Sequence, residues 1–423
     1  MKLSIPYHKS RIPIDIPDRN FAGILEPDQS VGHAEGTEAE IVERAMDHPI
    51  GSPPLEELVK GKKSVVIISS DHTRPVPSHV TMPILLRRIR EGNPDIDITI
   101  LIATGFHRPT THEELVQRYG EEIVKNEKIV VHMSRKKEDM VEIGTLPSGG
   151  KLIINRLAVE TDLLIAEGFI ESHFFAGFSG GRKAVLPGIA SAVTVMANHC
   201  SEFISSSHAR TGVLEGNPIH RDMLYAAEKA KLAYILNVVI NAEKKVIAAF
   251  AGDREKAHAD GCSYVMRMSE VKKIPADIVI TTNGGYPLDQ NLYQSVKGMT
   301  AAEASAKEDG VIIMVAACND GHGGEAFYEH LKNAESPRAL LDKIAKVPRN
   351  ETMPDQWEAQ ILARILDKHK VIFVTDMCDP EMIRSMHMEH AKDFASAFRR
   401  AMEIKGQDAS VVVIPDGVSV IVR

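Results

Sequence analysis

Short apolar, β-branched runs alternate along the chain with longer segments of helical period. Residues 64–69 (SVVIIS), 96–103 (IDITILIA) and 128–131 (KIVV) read as strands, and 78–90 and 111–125 between them carry apolar residues at helical spacing. Strands apolar on both faces belong in a covered parallel sheet whose crossovers are helices. A further run at 162–166 (DLLIA) continues the series, followed by a Gly-rich segment and a helix predicted over 190–201. A second block opens near Ile274, with strands at 277–281, 311–315 and 371–374 and helices at 300–307, 324–333 and 356–367. Helices predicted at 253–268 and 391–404 read as paired connectors, and the strand-like tail 410–422 as a return to the first block. The expected fold is therefore α/β. Two Rossmann-like lobes, one of residues 1–270 plus 405–423 and one of 271–404, are joined by two connecting helices, with the active site in the interlobe cleft.

The first 18 residues alternate apolar and polar positions between prolines, which predicts a strand or hairpin and not the continuous apolar core of a secretory signal. No stretch approaches the roughly 20 apolar residues of a membrane span. At 423 residues, 43% hydrophobic and 26% charged, the chain is too apolar for a disordered protein and too long for a disulfide scaffold. Lys plus Arg is 50 against 58 for Asp plus Glu, a net charge of -8, so no broad basic surface is available and nucleic acid is not an expected partner. The four cysteines, Cys200, Cys262, Cys318 and Cys378, form no C-x-x-C pair, which fits a reducing cytoplasm.

Ligands of open α/β sheets bind beyond the carboxyl ends of the strands, so the residues after each apolar run carry the chemistry. One run ends in Asp71-His72-Thr73-Arg74, the next in Thr104-Gly105-Phe106-His107-Arg108, and a later one in Glu167-Gly168-Phe169-Ile170-Glu171-Ser172-His173. An imidazole titrates near neutrality, so His107 and His173 are candidates for a general acid/base pair, and two bases facing one carbon suit inversion of a stereocentre. Arg74 offers a planar fork to a carboxylate or phosphate, and Asp71 could orient it or a hydroxyl; a local Asp71–Arg74 turn pair is the alternative. His72 and His132 read as structural.

The segment 174–188, with Gly180 and Gly181 ahead of Arg182 and Lys183, looks like an anion loop in which small residues let backbone N–H groups approach a phosphate. Neither the Walker spacing nor the G-x-G-x-x-G fingerprint is present, which disfavours an ATPase or an ordinary NAD enzyme. Lys183 is a candidate covalent attachment point or phosphate clamp, with an exposed loop lysine as the alternative. His199 is a candidate metal ligand, with a buried structural histidine as the alternative. In the second block, Gly284-Gly285-Tyr286-Pro287 precedes Tyr293, Gln294 and Lys297. Lys297 could close on an anion, capping or surface roles being the alternative for it and Gln294. Trp357, the lone tryptophan, could wall the cleft or simply pack.

Four segments in order, SSDHTRPVP (69–77), ATGFHRPTTHEE (103–114), GFIESHFFAGFSGGRKAVLPGIAS (168–191) and LYQSVKG (292–298), carry a resemblance over nearly the whole chain. The sequence resembles the nickel-pincer-dependent lactate racemases and related 2-hydroxyacid racemases and epimerases. The resemblance implies a cofactor of the pyridinium-3,5-bisthiocarboxylic acid mononucleotide type, held as a pincer around nickel, covalently linked through Lys183 and ligated by His199. It places Arg74 and Lys297 near the cofactor phosphate and the substrate, and Asp71, Tyr293, Gln294 and Trp357 around the site. It further implies interconversion of L- and D-lactate by hydride transfer through a pyruvate-like intermediate, with His107 and His173 each handling the hydroxyl proton of one enantiomer. Its partners would be a small 2-hydroxyacid and cofactor-maturation proteins, without which the chain lacks cofactor. The alternatives are another 2-hydroxyacid, and a non-catalytic nucleotide or metal-binding protein on the same scaffold, against which the presence of two bases argues.

Overall fold

A computed structural model describes residues 1–28, 31–32 and 34–423. The chain divides into two compact units: the first is built from Val31–His199 and Ser206–Val265, the second from Met1–Ser30, Cys200–Ser205 and Met266–Arg423.

The first unit is organised by a six-stranded sheet in the order Val246–Gly252, Leu232–Ile240, Leu163–Phe169, Ser64–Ser70, Asp97–Ala103 and Lys128–Val131. All neighbours are parallel except Val246–Gly252, which runs antiparallel to Leu232–Ile240. Strands Leu163–Phe169 and Ser64–Ser70 are buried nearly throughout because helices cover both faces. Chain order runs outward in both directions from the pair Ser64–Ser70 and Leu163–Phe169, so the switch point of the sheet lies at their carboxyl ends. The helix expected over 111–125 is two helices, His112–Tyr119 and Glu121–Asn126, because Gly120 takes φ +84° and ends the first. The helix expected over 190–201 is Ala192–Asn198, capped by the Ser191 side chain, with Ser201–Ser205 separate.

The second unit holds another six-stranded sheet, Glu389–Ala391, Lys370–Val374, Ala306–Val315, Ala276–Thr282, Val411–Ile414 and Phe21–Ile24, all parallel. The domain boundaries differ from those expected, 1–270 plus 405–423 and 271–404. The tail does not return to the first block: Val411–Ile414 pairs with Ala276–Thr282 on one side and Phe21–Ile24 on the other. The N-terminal hairpin, Lys2–Tyr7 paired antiparallel with Ser10–Asp15, also joins this unit, because Ile5, Ile14 and Ile16 share a core with Ile280, Ile313 and Val413. Of the two expected connectors, Lys256–Ser269 does carry the chain from one unit to the other. Helix Phe394–Lys405 does not. It runs between two strands of the second sheet and buries Phe394, Ala397, Ala401 and Met402 in that unit's core. The helix expected at 300–307 instead spans Leu292–Ser305, started by the Asn291 side chain accepting from the Gln294 amide. Among the described residues no helix is long and apolar enough to cross a membrane.

One ion cluster braces the first unit. Arg88, buried on helix Ser78–Gly92, bonds Glu43 (2.5 Å), Asp47 (2.5 Å) and Glu56 (2.8 Å). Removing a buried cation leaves its carboxylates facing one another in a poor dielectric, at a cost of about 3 kcal/mol. Arg88→Met should therefore lower the urea midpoint of unfolding; an unchanged midpoint would show the cluster to be energetically neutral.

Candidate functional site

In the first unit the adjacent parallel strands Ser64–Ser70 and Asp97–Ala103 end side by side and bring Asp71 and His107 together. Asp71, 1% exposed, follows strand Ser64–Ser70 and receives Nδ1 of His107 on Oδ2 at 2.6 Å. Its Oδ1 accepts from the Thr73 amide (3.1 Å) and the Thr73 hydroxyl (2.6 Å), and Arg74 donates to that hydroxyl at 3.1 Å. Burial pushes the Asp71 carboxyl up, but the His107 and Thr73 hydrogen bonds and the charges of His107 and Arg74 win, holding it at about 2. An ionised carboxylate can only accept, so the His107 Nδ1 carries a proton, and in the neutral ring the lone pair lies on Nε2. The Asp71-to-Arg74 turn exists as well, with the Arg74 amide on the Asp71 carbonyl at 3.2 Å.

The other candidates of this unit gather on one aromatic ring. His173 meets the Phe175 ring edge-on at 4.5 Å between centroids, His199 does so at 5.2 Å, and the Lys183 ammonium lies 5.7 Å from its centroid. His173 ends the first strand of a two-residue ladder with Gly177–Phe178, and its Nδ1 accepts from the Ala176 amide at 3.3 Å. The Gly105 amide donates to the Gly188 carbonyl at 3.0 Å, which ties the His107 loop to the Lys183 loop.

Under that loop sits Arg182, 1% exposed, which donates to the carbonyls of Ala176 (2.8 Å) and Phe178 (2.8 Å) and to Nδ1 of His220 (2.9 Å). Burial draws its guanidinium down to about 10, still a cation at neutral pH. Gly180 and Gly181 take φ +74° and +51°, and a Cβ on Gly181 would meet the His258 ring at 2.7 Å. Both glycines are thus dictated by chain path as much as by any anion. The Gly181 amide is directed at Asn237 Oδ1, 2.7 Å away.

In the second unit, Tyr293, Gln294 and Lys297 lie on helix Leu292–Ser305. Trp357 Nε1 donates to the Tyr293 hydroxyl at 3.2 Å, and the Tyr293 ring packs edge-on against Phe327 at 5.3 Å. Gln294 serves the helix start with its backbone, its carbonyl accepting from Asn283 at 2.6 Å. Glu358, buried beside Trp357 in sequence, has its carboxyl lifted by burial against the pull of the Lys297 ammonium. An apolar groove of about 700 Å³ in this unit, walled by Tyr7, Ile12, Ile14, Phe394 and Phe398, contains none of these residues.

Residues 7–212 match the lactate racemase N-terminal domain and residues 271–422 the lactate racemase C-terminal domain. The chain is 60% identical over 421 residues to a lactate racemase of Lactiplantibacillus plantarum and 59% identical over 421 residues to one of Thermoanaerobacterium thermosaccharolyticum, covering 100% of this chain and 99% of each relative. The chain belongs to the lactate racemase family. It is an isomerase. The lactate racemase apoprotein of Thermoanaerobacterium thermosaccharolyticum superposes with a TM-score of 0.97 at 58% identity, over 100% of both chains. A Thermotoga maritima protein, 20% identical with a TM-score of 0.67 over 92% of this chain, shares the fold.

Membership of the lactate racemase family implies a cofactor, and the residues fit one. His199, capping helix Ala192–Asn198, donates Nδ1–H to the Val195 carbonyl at 3.1 Å, so the lone pair of the neutral ring lies on Nε2, the arrangement of a metal-binding imidazole. Burial and the Lys183 charge hold His199 down at about 3, so it is neutral at physiological pH. Among the described residues no group of three His, Cys, Asp or Glu side chains could hold a metal.

Sequence reasoning left Thr73, Phe175 and Arg118 unassigned. Phe175 lies in the Gly-rich segment between His173 and Lys183, and its nearness in sequence to both is the signal that marks it. His132 is structural as expected, its Nε2 on the Ala190 carbonyl at 3.0 Å.

Besides His199, burial lowers four further histidines of this unit: His132 to about 4, His220 to about 3 with help from Arg182, His258 well below its usual value, and His72. In the unfolded chain each titrates near 6.5. Between pH 6.5 and 4 the unfolded chain therefore binds more protons, and stability falls on acidification through that window. Asp222, lifted by burial, acts in the opposite sense, one group against five. Amide-exchange protection of strand Leu163–Phe169, corrected for intrinsic rate, should drop between pH 7 and 5, and drop less in His132→Gln; equal drops would remove His132 from the account.

Proposed function

We propose that the chain interconverts L- and D-lactate on a lysine-linked nickel-pincer nucleotide. The observation that carries the reading is the meeting of His173, Lys183 and His199 on the Phe175 ring, tied through Gly105 and Gly188 to the Asp71–His107 pair. Lys183 would hold the cofactor covalently, and His199 would give its Nε2 to nickel. When bound, this group supplies an acceptor for the hydride of the carbinol carbon, whose hydrogen is too weakly acidic for an imidazole to remove as a proton.

The side chains deal with the hydroxyl proton. Asp71 keeps the His107 proton on Nδ1, leaving Nε2 to accept the hydroxyl proton, and its carboxylate stabilises the imidazolium that results. His173 takes the equivalent part for the opposite enantiomer. Arg74, braced by Thr73, offers its guanidinium to the substrate carboxylate or the cofactor phosphate. Gly180 and Gly181 let the backbone approach an anion closely. In the second unit, Lys297 offers a cation, and the Trp357–Tyr293 hydrogen bond, with Gln294 in the same helical turn, makes a rigid polar edge for a small hydroxyacid. The four thiols, three of them buried, suit a reducing cytoplasm, and maturation proteins that build and insert the cofactor are the implied partners.

Chiral chromatography of L-lactate tests this, using protein co-produced with cofactor-maturation enzymes and nickel. D-lactate should accumulate with the unmutated chain and not with Lys183→Ala, and intact mass should show the adduct only on the former. An adduct on Lys183 without lactate conversion would transfer the same chemistry to another 2-hydroxyacid. His107→Asn, loaded to the same extent, should lose about 10³-fold in rate; undiminished racemisation would remove His107 from the mechanism.

A further inference from the structure

The loop bearing Asp71 and Arg74 leaves the sheet and crosses Pro75 and Pro77, which have no N–H, before helix Ser78–Gly92 begins. Its carbonyls therefore need donors from elsewhere. One side chain supplies them. Arg118, on helix His112–Tyr119, directs Nη2 at the Asp71 carbonyl (2.5 Å) and the Arg74 carbonyl (2.6 Å). Its Nη1 reaches the Ser78 hydroxyl (3.3 Å) and the Val76 carbonyl (3.4 Å). Ser78 is itself fixed from the far side by the buried Glu167, which takes the Ser78 hydroxyl on Oε1 at 2.8 Å. That carboxylate also accepts from Thr81 on Oε1 (2.6 Å) and from Ser69 on Oε2 (2.5 Å). The segment is thus held at Ser69 and Ser78 by Glu167, and between them, at Asp71 and Arg74, by Arg118.

We propose that Arg118 is a positioning residue for proton transfer: by gripping the Asp71 and Arg74 carbonyls it fixes the Asp71 carboxylate against His107 Nδ1 and aims the Arg74 guanidinium. Its hydrogen bonds all go to the 71–78 segment, so it acts through Asp71 and Arg74. A planar fork suits the task, because one nitrogen must serve two carbonyls while the other serves Ser78 and Val76; a lysine ammonium cannot span all four acceptors. Without it the Asp71 carbonyl keeps, among the described residues, the Arg74 amide, and the turn is free to move the carboxylate from the imidazole.

The inference rests on the assignment of His107 as a proton-transferring group, yet its test does not need the loaded enzyme. Nitrogen-15 NMR of the imidazoles in cofactor-free protein reports which ring nitrogen of His107 carries the proton. In the unmutated protein Nδ1 should carry it, and Arg118→Ala should convert the signal to a mixture of the two tautomers, with Arg118→Lys between them. Ser78→Ala, which keeps the Nη2 grip while removing a hydroxyl of the Glu167 cluster, should lower the melting temperature and leave the His107 tautomer as it was. In loaded enzyme Arg118→Ala should lose about 10- to 100-fold in kcat, with Arg118→Lys recovering part of it. An unchanged His107 signal in a folded Arg118→Ala protein, or in Arg118→Lys if the alanine variant does not fold, would overturn the proposal. A shifted signal without loss of racemisation would uphold the positioning and count instead against His107 as the proton carrier.

Discussion

Backbone that leaves the carboxyl ends of a parallel sheet forfeits its ladder, and every carbonyl it buries must find a donor elsewhere. In this chain two arginines meet that demand. Arg182 binds the carbonyls of Ala176 and Phe178, which fixes the turn between His173 and Lys183. Arg118 binds those of Asp71 and Arg74. A guanidinium suits both places because it brings several donors in one plane and no acceptor that would itself need satisfying. The functional groups are held at second hand: the arginine fixes the carbonyl, and the carbonyl fixes the side chain of its own residue or its neighbour.

The same arrangement sets the electrostatics. Arg182 sits against His220 and His258, and Lys183 acts on His199. Histidines so close to cations, and so deeply buried, stay neutral. His199 is therefore neutral, with its lone pair on Nε2. His107, by contrast, has an ionised carboxylate at 2.6 Å and is half-exposed. One unit thus holds imidazoles in two different settings: one buried and kept neutral, and one hydrogen-bonded to a carboxylate.

The fold class and most of the candidate groups of the first unit were legible in the sequence, for a physical reason. Buried parallel strands are short runs such as SVVIIS with no polar interruption, and the candidate groups Asp71, His107 and His173 follow where such runs stop. The strands Leu232–Ile240 and Val246–Gly252 did not register, because a continuous apolar run has no period to distinguish it from a buried helix. The tail was misplaced for another reason: Val411–Ile414 is apolar on both faces and would fit either sheet, and only pairing with Ala276–Thr282 and Phe21–Ile24 chooses between them. Arg118 and Arg182 were invisible as anchors, since their partners are backbone carbonyls and leave no mark in residue identity.

The position of strand Val411–Ile414, between Ala276–Thr282 and the strand Phe21–Ile24, makes the second unit discontinuous in the chain. The whole of the first unit lies between residues 31 and 265, so a ribosome finishes it while Phe21–Ile24 still lacks its neighbour in the sheet. For the time it takes to make roughly 150 further residues, at about 5–20 residues per second, that strand waits with an unpaired edge. The order of synthesis therefore gives the unit bearing His107, His173, Lys183 and His199 a head start, and leaves the early strand exposed to wrong partners until the last part of the chain emerges.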